Sequence, residues 1–275
     1  MRRIIDLTLL LILTFMGQAE PQNQNDYLER LMELSGLTAQ VEQIPGSVIA
    51  GIRSAKSQLP TISSQMIALM EEKAAEVFEP EGFLNAIKME LKDEISKEEA
   101  TSLLNWYESE IGKEITEAEK EGSKPTAYQD ALSKRDIYSK NQPMMSFAQK
   151  IEKELSLTEM MTQLNKYVSV AIFTAISMIS DPNSAMRIKL FKSQMESQMG
   201  QMRSQTRQMV LFIIAYTYQN IPLPKLDQYL EFNQRPETRK LNQLVTKGFV
   251  GAFEKSTDIF AFQLAIALKE KVVTD

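Results

Sequence analysis

The chain contains no cysteine and no histidine. The first absence removes disulfides, thiolate nucleophiles and cysteine-ligated metal sites. The second removes the commonest general base and the commonest transition-metal ligand. Serine–histidine triads, zinc hydrolase sites and histidine-bearing di-iron sites are excluded by inventory. No phosphate-binding loop or dinucleotide fingerprint occurs. No stretch alternates apolar and polar residues as a half-buried strand does; apolar residues recur at spacings of three and four throughout. The fold class that follows is all-α.

What is present is ordinary for a globular chain: 43% apolar and 24% charged residues over 275 positions. Residues 1–19 read as a signal peptide. Arg2 and Arg3 form its basic region, residues 7–16 its apolar core, and Gly17-Gln18-Ala19 a small-x-small cleavage site. The mature chain is then expected to begin at Glu20 and to reach the periplasm. The apolar run is too short to span a bilayer, so no transmembrane span is expected in the mature chain. No cysteine follows the run, which excludes a lipid-anchored lipoprotein.

Without residues 1–19 the chain carries 29 basic and 35 acidic residues, a net of −6. That balance argues against nucleic acid as a partner. The charge is also unevenly placed. Residues 71–121 hold 16 acidic and 6 basic side chains, whereas residues 183–248 hold 10 basic and 4 acidic. Two solvated faces with different histories account for this, as does electrostatic docking of one part of the chain on the other or on a second copy.

An internal correspondence organises the chain. Advancing 126 residues from 95–115 gives 221–241, where Ile95 falls on Ile221, Leu104 on Leu230, Trp106 on Phe232, Lys113 on Arg239 and Ile115 on Leu241. Near the start of each half, ELSGLT at 33–38 becomes ELSLT at 154–158. The expectation is two related helical units in tandem, 26–140 and 144–270, joined by a short polar linker ending at Pro143. Pro45-Gly46 is expected to bend the first unit's second helical segment. Glu79-Pro80-Glu81-Gly82 is expected to break its third, where the second unit runs on uninterrupted.

Superposing the halves gives a composite motif. Trp106, Tyr107, Ser109, Gly112 and Lys113 come from the first, and Phe232, Pro236 and Arg239 from the second. It describes a helix that stops and restarts, with Ser109 as a cap, Pro236 in a new first turn, and Gly112 permitting close approach of another helix. The pattern resembles the exported bacterial family known as domain of unknown function 2059. That family carries a signal peptide, a leucine-rich first helix ending near glycine, and a Phe-Tyr-x-Ser-Pro-x-Gly-x-Lys-like motif. Here Glu110, Arg235 and Thr238 stand where the motif has proline, serine and glycine, and Asn233 replaces its tyrosine. The resemblance implies an all-helical exported protein and brings no catalytic residue with it.

Three groups of residues invite a chemical reading. Met195, Met199, Met202 and Met209 are thioethers on one helical stripe, a Cu(I)-type donor set, but the same stripe serves adaptable core packing. Glu94, Glu98, Glu99, Glu108, Glu110 and Glu114 contain carboxylate pairs one turn apart, suited to acid–base work if buried and to a solvated face if not. The apolar runs 210–216 and 259–268 read as centrally buried helix, or as a groove for an apolar ligand or another chain. No catalytic residue, cofactor or metal is assigned. The expected role is a non-enzymatic binding or structural module contacting an unidentified protein or a second copy. The alternatives are carriage of an apolar ligand or lipid between the repeats, then methionine-based copper binding or an enzyme.

Overall fold

In the computed structural model the residues described are 24–58, 63–124, 126–180 and 184–274. The assigned leader and its cleavage site lie outside them. Fourteen helical segments and no strand occur among these residues. In chain order they are α1 (Gln24–Leu34), α2 (Leu37–Glu42), α3 (Ile44–Gln58), α4 (Ser64–Val77), α5 (Pro80–Leu91), α6 (Lys97–Glu108) and α7 (Glu110–Gly122). They continue as α8 (Ala127–Ser133), α9 (Arg135–Tyr138), α10 (Gln142–Leu155), α11 (Leu157–Ser180), α12 (Ser184–Thr217), α13 (Leu223–Asn233) and α14 (Pro236–Thr274). The fold is all-α.

The breaks follow from local chemistry. Ser96 and Glu99 form a reciprocal capping box that starts α6. The Ser109 hydroxyl accepts from the Gly112 amide at 3.0 Å and donates to the Trp106 carbonyl at 2.6 Å, so one side chain both ends α6 and begins α7. The sequence reading set Gly112 against another helix; the structure sets it against the end of its own predecessor. A Cβ there would lie 2.0 Å from the Trp106 carbonyl oxygen, so the turn requires glycine. Pro80 opens α5 after the break at Phe78, and the helix ahead of Pro45 is interrupted at Gln43. α12 runs through the corresponding part of the second half without a break.

A left-handed residue separates the first two helices of each half. In the first half it is Gly36, at φ 74°, and in the second it is Ser156, at φ 52°. The one-residue shortening of ELSGLT to ELSLT moves this conformation from glycine onto serine. For an L residue that geometry crowds Cβ against the backbone and costs roughly 1–2 kcal/mol.

The core is one continuous apolar cluster that takes residues from both halves. Its backbone is α14, which crosses α5 and α4 on one side and α11 on another. Phe78 meets Phe253 and Phe260 at centroid distances of 5.3 and 6.0 Å, and Phe83 meets Phe249 at 5.5 Å. Gly248 makes the α14–α5 crossing possible: a Cβ there would lie 2.7 Å from the Ile87 Cα. Run 259–268 is not buried all round. Phe260, Ala261, Leu264, Ala265 and Leu268 face the core, while Ile259, Phe262 and Ile266 are exposed.

Candidate functional site

The motif residues meet at the junction of α6, α7, α13 and α14. Trp106 stacks on Phe232 with ring centroids 4.4 Å apart and planes within 8° of parallel, and Tyr107 packs edge-on against the same phenyl ring at 5.6 Å. Trp106 also stacks at 6.5 Å on Tyr229. Phe232 is fully buried and Trp106 half-buried, its Nε1 enclosed with no hydrogen-bond partner among the described residues. Pro236 is the first residue of α14. Arg239, one turn later, donates to both carboxylate oxygens of Glu154, at 2.5 and 3.1 Å. Lys113, its counterpart in the first half, is exposed beside a surface depression of about 230 Å³ that Glu33, Tyr107, Thr116, Glu117 and Lys120 also line.

Ion pairs ring this junction. Glu99 accepts from Lys240 at 3.2 Å through both oxygens while its own carboxylate holds the Ser96 amide at 2.8 Å. The Ser96 amide, then the Lys240 ammonium, hold the Glu99 carboxyl below its ordinary pKa against a modest desolvation. Glu114 pairs with Lys225, and Ser102 donates to Glu237 at 2.9 Å. Glu108 pairs with Arg30, and Glu94, Glu98 and Glu110 are exposed. The six glutamates therefore do not converge on one point. Among the described residues no group of three or more acidic side chains is arranged to hold a metal ion. Met195 is buried and Met199, Met202 and Met209 are partly buried along α12.

One strongly enclosed acid escaped the sequence reading. Glu119 of α7 accepts, through one oxygen, from the Tyr218 hydroxyl at 2.7 Å and the Tyr229 hydroxyl at 2.6 Å. Burial of the carboxylate raises its pKa above the usual range, and the two hydrogen bonds pull it back only in part. Burial likewise raises Tyr107, Tyr218 and Tyr229, with the nearby Glu119 charge adding to it. Tyr218 is further boxed in by Phe147, edge-on at 5.6 Å. A signal for Glu119 was available: it follows Gly112 and Ile115 by seven and four residues, on the buried row of α7. Its partners lie about a hundred residues on, where no spacing rule reaches.

Chemically the cluster is a carboxylate held by two tyrosine hydroxyls and closed in by packed rings. A larger depression, about 470 Å³, lies beside it and is lined by Glu114, Glu117, Glu121, Tyr216, Gln219 and Asn220 among others. Ala118, Gly122 and Ile221 complete its lining, so its wall mixes carboxylates with apolar surface. No helix among the described residues is long and apolar enough to cross a membrane. Compared with models of protein families, with curated proteins and with solved structures, the chain finds no match in any of the three.

Proposed function

We propose that this is an exported, non-enzymatic binding or structural module built from two related helical repeats, of the kind its motif resemblance to the domain of unknown function 2059 family suggests. The observation that carries the reading is the use made of the motif. Its aromatic positions, 126 residues apart, stack on each other at 4.4 Å instead of facing a ligand. The flanking charges follow the same exchange. Glu99 corresponds to Lys225 and Glu114 to Lys240 at the same spacing, and the observed pairs are Glu99–Lys240 and Glu114–Lys225. Swapping the two halves therefore turns each pair into the other with its signs reversed. Such reciprocity supports two repeats meeting about a local two-fold, in the manner of an isologous dimer.

Glutamates stand in the lining of both surface depressions, which favours contact with a protein over carriage of a lipid. Native mass spectrometry of the exported protein, purified without detergent, tests this. The expected species are the bare chain from Glu20, alone or with a protein subunit. A chain carrying a stoichiometric lipid would replace the reading with the carrier alternative, and a chain still beginning at Met1 would remove the export part of it.

A further inference from the structure

Three helices end together at one extremity of the molecule. Lys166 pairs with Glu196 at 2.9 Å, Phe173 stacks on Phe191 at 4.0 Å, and Arg203 pairs with Glu159 at 2.8 Å, so α11 and α12 run antiparallel. Arg239 meets Glu154 just before α11, and Tyr167 lies against Glu254 and Asp258, so α14 runs parallel to α11. The last turns of α11, the first turns of α12 and the last turns of α14 therefore share one end.

Seven of the ten large apolar side chains exposed among the described residues lie on these three segments. α11 supplies Ile176 and Met178, α12 supplies Met186 and Leu190, and α14 supplies Ile259, Phe262 and Ile266. They are not stray. On α12, Ile188, Phe191 and Met195 turn inward, so Met186 and Leu190, 63% and 58% exposed, occupy the opposite face. On α14, positions 255, 259, 262, 266 and 269 fall at spacings of four, three, four and three. They read Lys-Ile-Phe-Ile-Lys along one exposed face about 21 Å long. A helix that buries one apolar stripe and shows a second on its far side has something else to cover.

The charges say what. Lys189 and Lys192 flank the α12 patch, and Lys255 and Lys269 bracket the α14 stripe. None of the four has an ion-pair partner among the described residues, and Arg187 lies in the same first turns of α12. Glu254, Asp258 and Glu270 are the acidic residues on this part of α14, against the five cations of the two segments. A local excess of cations around apolar side chains, on a chain whose net charge is −5, is the pattern of an interfacial surface. A second copy fits poorly, because a two-fold contact through this end would bring together two patches with the same positive excess. Phosphate headgroups would instead pair them, with the long lysine stems lying along the apolar surface.

We propose that this end docks peripherally on an anionic phospholipid surface. Met186, Leu190, Phe262 and Ile266 enter the headgroup boundary, and Lys189, Lys192, Lys255 and Lys269 meet the phosphates. Flotation of the full chain with vesicles of equal parts phosphatidylglycerol and phosphatidylcholine tests it, against vesicles of phosphatidylcholine alone. The expected result is co-flotation with the mixed vesicles only, weakened at high salt. Leu190→Ser with Phe262→Ser should reduce the bound fraction about tenfold, and Lys189→Gln with Lys255→Gln should do so at low salt only. Both pairs alter exposed side chains, so unchanged circular dichroism and melting should accompany the loss. The proposal is overturned if the chain stays at the bottom of the gradient, if the apolar variant floats as well as the parent, or if this end proves in sedimentation to be covered by a protein.

Discussion

Trp106 and Phe232, 126 residues apart in the chain, stack within 8° of parallel across the junction of α6 and α13. Phe232→Ala should cost on the order of 3–5 kcal/mol, as burial of an aromatic side chain predicts, and Trp106→Ala, only half-buried, less. The two losses should not add. A double-mutant cycle in urea should return a coupling of about 0.5–1.5 kcal/mol, the value of a packed aromatic pair beyond its area. Strict additivity would mean that the rings pack on their surroundings and not on each other.

The glycines of the close contacts are separable by a single methyl group. Gly112→Ala drives Cβ into the Trp106 carbonyl, and Gly248→Ala drives it into the Ile87 backbone, at 2.0 and 2.7 Å. Each should destabilise by about 1–3 kcal/mol or more, because neither neighbour is a flexible side chain. Gly251→Ala, one turn beyond Gly248 on the same helix, meets nothing within 4 Å. It should stabilise by up to about 1 kcal/mol through helix propensity. Thermal melts of the three variants decide the matter, and a stabilised Gly248→Ala would show that α14 does not press on α5.

Much of this was legible before any coordinates. The Ser109 cap, the break at 79–82 and the start at Pro236 are local, and local side-chain chemistry dictates them. The correspondence of Trp106 with Phe232 was visible as a spacing, yet a spacing places two residues in equivalent environments without placing them in contact. Glu119 was invisible for a different reason. In the run TEAEKE it looks like solvated charge, and only the return of Tyr218 and Tyr229 makes it a buried acid. The second apolar face of α14 was hidden by periodicity itself, since a helix apolar on two faces reads as one apolar all round.

Glu119 gives the protein a pH dependence of known sign. Its folded pKa is raised, so between the ordinary carboxylate value and that raised value the folded state holds a proton that the unfolded chain has lost. Its contribution is complete below the unfolded pKa and is lost as pH rises through the folded one. Glu119→Gln keeps an oxygen for both tyrosine hydroxyls and removes the titration, so its stability should fall less across that interval. Glu119→Ala should instead lose about 1–3 kcal/mol for each hydroxyl left unpartnered. Glu99 acts oppositely: its depressed pKa makes its contribution fade as pH falls, so the two separate on the acid side. Denaturant midpoints followed across pH for the parent and Glu119→Gln test this; identical slopes would show that Glu119 does not titrate differently on folding.

Ser156 carries a strain that its counterpart Gly36 does not. Replacing it with glycine removes the Cβ from a left-handed conformation, and should stabilise the chain by up to about 1 kcal/mol, less whatever the unfolded state gains in freedom. A destabilised Ser156→Gly would place the entropy of the unfolded chain above the strain.

Cutting the chain between Lys140 and Asn141 asks whether either half stands alone. The cut severs an exposed, polar turn and removes no buried side chain. What it tests is α14, whose Phe249, Phe253 and Phe260 cover Phe78 and Phe83 of the first half. Without that helix the first fragment exposes two phenyl rings and Ile87, each worth roughly 1.5–3 kcal/mol when buried. The sum is comparable to the whole stability of an ordinary domain. The second fragment keeps α14 packed on α11 but loses everything on its other side. Neither fragment should melt cooperatively at the temperature of the intact protein, and mixing them should restore a single transition. Because apolar contact dominates and the exposed pairs around the junction are screened, added salt should move that transition only slightly. Two fragments that each unfold cooperatively at the parental temperature would refute the shared core, and the junction of Trp106 with Phe232 would then be a contact between independent domains.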